Sequence, residues 1–317
     1  MRDHKPRVSI GLPVFNGENY LEGALDSILA QTYSDFEILI SDNASTDGTE
    51  EICKAYAARD GRIRYFRNET NLGAIKNFNR AFELSSGEYF KWAAHDDMIA
   101  PDFLIKCVGV LDQDPTVVLC HCKVKFIDKV GDVLADHLVA HYAIELKNVD
   151  SFKPQDRFGD LVLINHNCLH VFGLIRASTL KKTRLFPSHI GCDRNLLVEL
   201  GLLGRFHTLP EYLFFSRDHS ERSIRAVPFH LRAAWHDTTK KGRLVFPHWS
   251  RFFGYFKSVR RMPLSRHERI SCYIHLAKWL QLYRKNLVGD LMVAASRTRH
   301  RFFAPGTKNQ SILRKAN

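Results

Sequence analysis

Through roughly the first 130 residues, apolar strand-like runs alternate with amphipathic segments of helical period, joined by short polar links. That alternation admits few folds besides βα units stacked on a mainly parallel sheet. RVSIGLPVF predicts the first strand. In ENYLEGALDSILAQ, Leu21, Leu25, Ile28 and Leu29 share a helical face that Gln31-Thr32-Tyr33 closes. FEILIS is the second strand. The polar turn from Asp42 to Gly48 follows, with Ser45 or Thr46 placed to cap the next helix. RIRYF gives a third strand, and Asn71-Leu72-Gly73 opens a helix that Gly87 breaks. EYFKWAA is the fourth strand, followed by His95-Asp96-Asp97 and a helix from Pro101 to about Leu111. Beyond this, VVLCHCKVKFID and the Gly131-Asp132 turn predict an antiparallel pair. HVFGLIR and EYLFFSRDH read as further strands, NLLVELGLL as a helix, and the pattern from Phe229 onward is helical and basic.

In an open parallel sheet, ligands bind beyond the C-terminal ends of the strands, where helix N-termini and loop carbonyls converge. Asn16-Gly17-Glu18, Asp42-Asn43 and Asp96-Asp97 all fall at such ends and should face one crevice. No GxGxxG follows the first strand and no GxxxxGK[ST] occurs, which argues against a dinucleotide oxidoreductase and a P-loop NTPase. Two adjacent carboxylates at a strand end suit a hard divalent cation that keeps positions open for diphosphate oxygens. The same pair could instead cap the following helix and lie solvated.

The formal charge of +12 hides a division of the chain. Residues 1–220 carry 25 Lys and Arg against 30 Asp and Glu, a net of −5, whereas residues 221–317 carry 21 against 4, a net of +17. Such asymmetry points to a basic region that meets a polyanion, either nucleic acid or an anionic membrane face, or to a solvated basic surface. The seven cysteines are odd in number and lie mostly in apolar runs, as reduced buried thiols do. Cys120-His121-Cys122 sits in an alternating strand with no second CxxC, so zinc is not expected there. No signal-peptide order opens the chain and no apolar run approaches membrane-spanning length, so a cytoplasmic protein is expected.

The stretch VSIGLPVFNGENYLEGALDSILAQTYSDFEILISDNASTDGTEEI, followed by NLGAIKNFNRAFELSSGEYFKWAAHDDMIAPDF, closely resembles the N-terminal half of the inverting family 2 glycosyltransferases. The likeness runs from residue 7 to about 220. It implies the α/β GT-A fold, a mixed and mainly parallel sheet with helices on both faces. The catalytic domain would span 1–228, with a nucleotide-binding half over about 1–115 and an acceptor half over about 116–228. A basic, mainly helical region covers 229–317. The resemblance further implies sugar transfer from a nucleotide-diphosphate donor, commonly a UDP-sugar, with Mn²⁺ or Mg²⁺ on the diphosphate.

Carried onto this chain, Pro13-Val14-Phe15-Asn16 resembles the base-binding turn, with Phe15 able to stack on the base and Glu18 close behind. Asp42 and Asn43 match the family's acidic pair, though the second member is here an amide. Asn71 and Gly73 match the loop near base and ribose, and Lys76 supplies a charge that many members place at the position of Phe78. Asp96 and Asp97 correspond to the metal-binding acidic motif, with Asp97 expected as direct ligand and Asp96 turned to a ribose hydroxyl or a metal-bound water. His95 is expected as a donor-sugar contact or a spacer. His189-Ile190-Gly191-Cys192-Asp193 resembles the segment carrying the catalytic base, which makes Asp193 the expected base; alternatively Asp193 caps the helix that follows. Arg217-Asp218-His219-Ser220 with Ser223 resembles the R-x-H-x-x-S segment, so His219 is the second expected metal ligand.

The expected activity is therefore metal-dependent, inverting transfer of a sugar to a glycan or lipid-linked glycan in cell-surface glycan synthesis. The basic C-terminal helices would touch the inner face of the plasma membrane, or pack on the catalytic domain or on a second copy in a dimer. The competing reading, a nucleic-acid-binding module with an inactive N-terminal domain, requires exposed stacking aromatics along a basic groove. A nucleotidyltransferase would need a Gly-rich phosphate loop that IGLPVFNGENY lacks.

Overall fold

The computed structural model describes residues 5–135, 137, 146–220, 222, 232–241 and 243–303. Ser223 and the expected boundary at 228/229 lie outside the described residues. Eight strands form one mixed sheet in the order β3-β2-β1-β4-β7-β6-β8-β5. β1 (Val8–Val14) and β2 (Phe36–Asp42) are buried along their whole length, which is why both read as unbroken apolar runs. They pair in parallel from Val8↔Phe36 to Val14↔Asp42. β3 (Ile63–Arg67) flanks β2 in parallel and ends level with it at Asp42↔Arg67, and β4 (Tyr89–Trp92) lies parallel on the other side of β1. The polar turns after these strands therefore emerge along one edge.

Helices α1 (Leu21–Leu29), α2 (Thr49–Arg59), α3 (Ala74–Glu83) and α4 (Phe103–Gln113) link the strands and cover both faces. Side chains alternate across β4, so Tyr89 joins one apolar core while Phe90 and Trp92 join the other. One expected cap moves. α2 starts at Thr49 with Gly48 as its N-cap, because Ser45 Oγ is turned back to Asp42 Oδ1 at 2.6 Å. The free N–H groups of α2 are met instead by Asp47 Oδ1, on Thr49 N at 3.2 Å, and by Glu18 Oε2, on Gly48 N at 2.7 Å.

The chain beyond α4 departs further from its sequence pattern. β6 (Val117–Ile127) does not make a hairpin around Gly131-Asp132, where only the bridge Ile127↔Val133 forms. Asp128 Oδ1 gathers the N–H groups of Val130, Gly131 and Asp132 into a tight turn instead. β6 pairs in parallel with β8 (Arg205–Arg217) and antiparallel with β7 (Leu174–Arg176). HVFGLIR breaks into a 3₁₀ turn and β7 at Gly173, whose Cα lies so close to Cys120 O that a Cβ would come within 2.6 Å of it. β8 begins six residues before the expected strand and carries Pro210 in its middle. The ladder tolerates this because the register jumps from Cys122↔Leu209 to Lys123↔Tyr212, placing Pro210 in a bulge.

α5 (Pro154–Leu163), α6 (Ala177–Leu180) and α7 (Cys192–Leu203) lie between these strands, and the short α8 (Arg232–His236) follows β8. The chain then forms α9 (Pro247–Arg261), α10 (Arg266–Leu282) and α11 (Arg284–Phe303). Tyr255, Val259, Leu276 and Trp279 belong to the same core as Phe158 and Leu161 of α5 and Leu196 and Leu200 of α7. Trp279 is 1% exposed, and burial of an aromatic of this size contributes about 4–6 kcal/mol before entropy is counted. The described C-terminal helices are thus built into the core despite their charge.

Lys91 lies fully buried on β4, donating to Phe172 O and to Trp92 O, with its ammonium 4.7 Å from the Phe103 ring and 5.3 Å from the Phe214 ring. Burial pushes its pKa down from 10.5 to about 8. Between those values the unfolded chain holds a proton that the folded chain has released, so the cost of burying the Lys91 ammonium is relieved as pH rises. The denaturant midpoint of wild type should therefore rise relative to that of Lys91→Met from pH 8 to pH 10.5. A difference that is constant with pH would contradict the assignment.

Candidate active site

Beyond β4 the chain stays extended, with Ala93 N bonded to Gly11 O, and turns at His95-Asp96-Asp97. The His95 ring abuts the turn after β1, where a Cβ on Gly17 would come within 2.7 Å of it. β5 (Met98–Ile99) then pairs antiparallel with Phe215 and Phe214 of β8, which brings the end of β8 against the two carboxylates. Arg217 N donates to Asp97 Oδ1 at 2.9 Å. The Arg217 guanidinium donates to Asp96 O at 2.9 Å and to Asp128 O at 2.9 Å, and it covers the Tyr20 ring. His219 Nε2 meets Asp96 Oδ2 at 2.9 Å, and its ring lies 4.7 Å from that of Tyr20.

This crowding separates the two acids. Burial, then the charge of Asp96, pushes Asp97 up to about 7. Burial acts the same way on Asp96, but the His219 hydrogen bond and the charges of His95 and His219 outweigh it and hold that carboxyl below its usual range. With Nε2 occupied by Asp96, His219 Nδ1 is buried and has no partner. A carboxylate pair of unfavourable charge next to an orphaned imidazole nitrogen fits a divalent cation. Among the described residues no three His, Cys, Asp or Glu groups converge as a ready cage. That too suits Mg²⁺ or Mn²⁺, which is commonly held by one or two protein ligands together with substrate phosphates.

Phe15, 42% exposed, stands over the strand ends as an open aromatic surface, while Pro13 is buried beneath it. Asn16 takes a left-handed conformation at φ 51° and receives Thr46 N on its side-chain oxygen at 2.9 Å. Other expected residues spend their polar atoms inside the fold. Glu18 caps α2. Asp42 is fully buried and accepts from Ser45 N, Ser45 Oγ and Tyr65 OH. Asn43 Oδ1 accepts from Leu72 N and Asn68 Nδ2, and its amide donates to Asn71 Oδ1 at 2.9 Å. These bonds tie the loop after β2 to the loop before α3, leaving Asn71 and Lys76 exposed at the rim. Tyr20 was not singled out from the sequence, and Arg217 was read only as one letter of a motif. A cation closing a strand that is buried at its end was the available signal for Arg217.

Asp193 is half-buried in the first turn of α7, where its Oδ1 accepts from Arg194 N at 2.8 Å. It is not the helix cap, which is Gly191 in a left-handed conformation at φ 79°. The neighbouring Arg194 is buried and fixed by Ile164 O, Asn165 Oδ1 and His166 O. His189 and His236 lie within electrostatic reach of Asp193; burial lowers both, His236 to about 4, so both face it as neutral rings. The segment from α8 through Lys240 bridges the loop before α3 and the loop at 184–190. Gly73, at φ 86°, is pressed so closely on His236 that a Cβ would lie 2.8 Å from its carbonyl oxygen. On the other side Asp237 accepts from Ser188 Oγ, and Lys240 donates to Ser188 O.

A sequence profile of glycosyl transferase family 2 matches residues 9–178. An uncharacterised glycosyltransferase of Rickettsia typhi is 38% identical over 127 residues, 40% of this chain and 39% of the relative. One from Methanocaldococcus jannaschii is 30% identical over 182 residues, 57% and 59% of the respective chains. The chain thus matches less than two thirds of the length of these relatives. In solved structures the fold is similar to that of S. aureus TarS in complex with UDP, with a TM-score of 0.61 at 16% identity, covering 96% of this chain and 77% of that one. It is also similar to mannosyltransferase PcManGT of Pyrobaculum calidifontis in complex with GDP-Man and Mn²⁺, with a TM-score of 0.50 at 18% identity over 95% and 82%.

Replacing Arg217 with Ala should cost about 2–3 kcal/mol in chemical denaturation, since it leaves the carbonyls of Asp96, Asp128 and Lys129 without the guanidinium that gathers them. A loss below about 0.5 kcal/mol, the range of ordinary surface changes, would show that the clamp is not structural.

Proposed function

The chain belongs to glycosyl transferase family 2, and we propose that it transfers a sugar, with inversion, from a UDP-sugar to the hydroxyl of a glycan or lipid-linked glycan, with Mn²⁺ or Mg²⁺ on the diphosphate. The observation that carries the reading is the pair Asp96 and Asp97, the second of them buried, with buried His219, held at the C-terminal edge of the sheet that also carries the exposed Phe15 ring. Phe15 stacks on the base, and Asn16, Asn71 and Lys76 are the exposed polar groups that meet base, ribose and phosphates. Asp42, Asn43, Glu18 and Gly73 serve the same nucleotide by fixing the loops that carry those contacts. The structures of TarS with UDP and of PcManGT with GDP-Man and Mn²⁺ support a nucleotide donor and a divalent metal.

Asp97 and His219 would hold the metal, and Asp96 faces the ribose or a metal-bound water. When bound, the cation neutralises the charge that collects on the departing diphosphate. On the acceptor side, Asp193 takes the proton of the attacking hydroxyl as its oxygen forms the new bond to the anomeric carbon and the bond to the diphosphate breaks. Burial keeps His189 and His236 as neutral rings beside Asp193. The strap from α8 to Lys240 keeps donor loop and acceptor loop in one frame.

The C-terminal helices would bring the enzyme to an anionic inner membrane face. Val288, Leu291, Met292 and Val293 of α11 are about half exposed or more, beside a strongly basic sequence. A second copy of the chain could cover the same face. No helix among the described residues is long and apolar enough to cross a membrane. The nucleic-acid reading is disfavoured by the burial of Tyr255 and Trp279, which it needs exposed.

Asp193→Asn should lower transfer from a UDP-sugar about 10²- to 10⁴-fold while calorimetry finds the affinity for UDP unchanged. A parallel loss of UDP binding would move Asp193 to the donor side, and undiminished transfer would remove it from the reaction.

A further inference from the structure

One cavity opens between the loop at 184–190, α7 and α9, and a second between His189, the chain from Arg243 to Phe246 and the start of α9. One measures about 440 Å³, the other about 270 Å³, and they share a wall of His189, Lys240 and Ser250. A larger hollow of about 900 Å³ lies at the opposite end of the strands, between Lys5, Phe36 and Arg62, where the buried Glu37 is already met by Ser9, Ser86 and Arg64. The cavities next to His189 differ in what lines them. Asn195, 3% exposed, stands in the wall with both side-chain amide atoms buried and unpartnered. Its amide is pressed against Gly254 of α9, where a Cβ would come within 2.1 Å. A buried amide left unpaired costs about 1–3 kcal/mol per group, and its persistence points to a partner that the protein alone does not supply.

The surrounding charge identifies that partner's chemistry. Arg184, Lys240 and Lys257 line the larger cavity and Arg243 the smaller one. Glu199 is the one carboxylate in the wall, and it is consumed by Ser258 Oγ at 2.9 Å, Arg184 N at 2.8 Å and the Arg261 guanidinium. Ser250 adds a hydroxyl, and Leu244, Phe246 and Phe253 give an apolar flank. Cations without matching carboxylates, a hydroxyl and an unpaired amide donor are the complement of a phosphate ester.

We propose that this cavity binds a phosphate group carried by the acceptor, held by Lys240, Lys257 and the Asn195 amide, with the acceptor hydroxyl directed past His189 to Asp193. The assignment names the acceptor class of the activity proposed above and rests on that reading.

Binding is measured by calorimetry on the full chain saturated with UDP and Mn²⁺, so that the donor site is filled. The probes are inorganic phosphate, glycerol 3-phosphate and phosphatidylglycerol vesicles. Wild type should bind glycerol 3-phosphate or the vesicles, the first marking a soluble acceptor and the second a lipid one. Lys257→Glu, a change at an exposed side chain, should weaken that binding about tenfold, equivalent to about 1.4 kcal/mol, with UDP affinity unchanged. Asn195→Leu should weaken it as well without lowering thermal stability, because it removes an unpaired amide. No binding of any probe, or equal binding by wild type and Lys257→Glu, overturns the proposal. If UDP does not bind but phosphate binding still depends on Lys257, the donor reading fails and the phosphate cavity stands.

Discussion

Arg217 is the point on which the acidic edge of the sheet depends. Its backbone N–H meets Asp97, and its guanidinium gathers the carbonyls of Asp96 and Asp128. The last residue of β8 thereby joins the acidic turn after β4 to the turn after β6. Pairing brings these pieces to the same level: Ile127↔Arg217 in parallel, and Met98↔Phe215 antiparallel. Two carboxylates so close, one of them buried, would push the turn apart unless something cationic or hydrogen-bonding fixed it. Arg217 does so through the backbone, which keeps the outer face of the pair free for a ligand.

The chain through α4 was legible because its information is local. β1, β2 and β4 are buried on both faces and read as apolar runs, and their ends are marked by Asn16, Asp42 and Asp96. What the local pattern could not supply were partners far along the chain. Ser45 has cap chemistry, yet Asp42 claims its hydroxyl and Glu18, thirty residues away, caps α2 in its place. Asp42 and Asn43 read as open ligands, but Tyr65, Asn68 and Leu72 take their oxygens. Their contribution to a site is therefore rigidity.

The chain beyond α4 was less legible because its shape comes from exceptions. Pro210 should have excluded a long strand there, but a bulge absorbs it. Gly191 rather than Asp193 caps α7, which leaves the carboxylate free of a structural duty that the sequence would equally have allowed. Basic residues in α9 and α10 suggested a surface element, whereas Tyr255 and Trp279 anchor both helices in the core of α5 and α7. Charge on the outer face and aromatics on the inner one are compatible, since long cationic side chains reach water past an apolar contact. The cavity around Asn195 exists because α9 is docked there.

The central claim is that Asp97, with His219, completes a metal-dependent site for a nucleotide diphosphate. Calorimetric titration of UDP into wild type and Asp97→Asn, each with Mn²⁺ and with a chelator, tests it most directly. The account predicts tight binding only for wild type with Mn²⁺, and weak binding in the other three conditions with the variant still folded. Equal UDP affinity in chelator, or in Asp97→Asn with Mn²⁺, would contradict it.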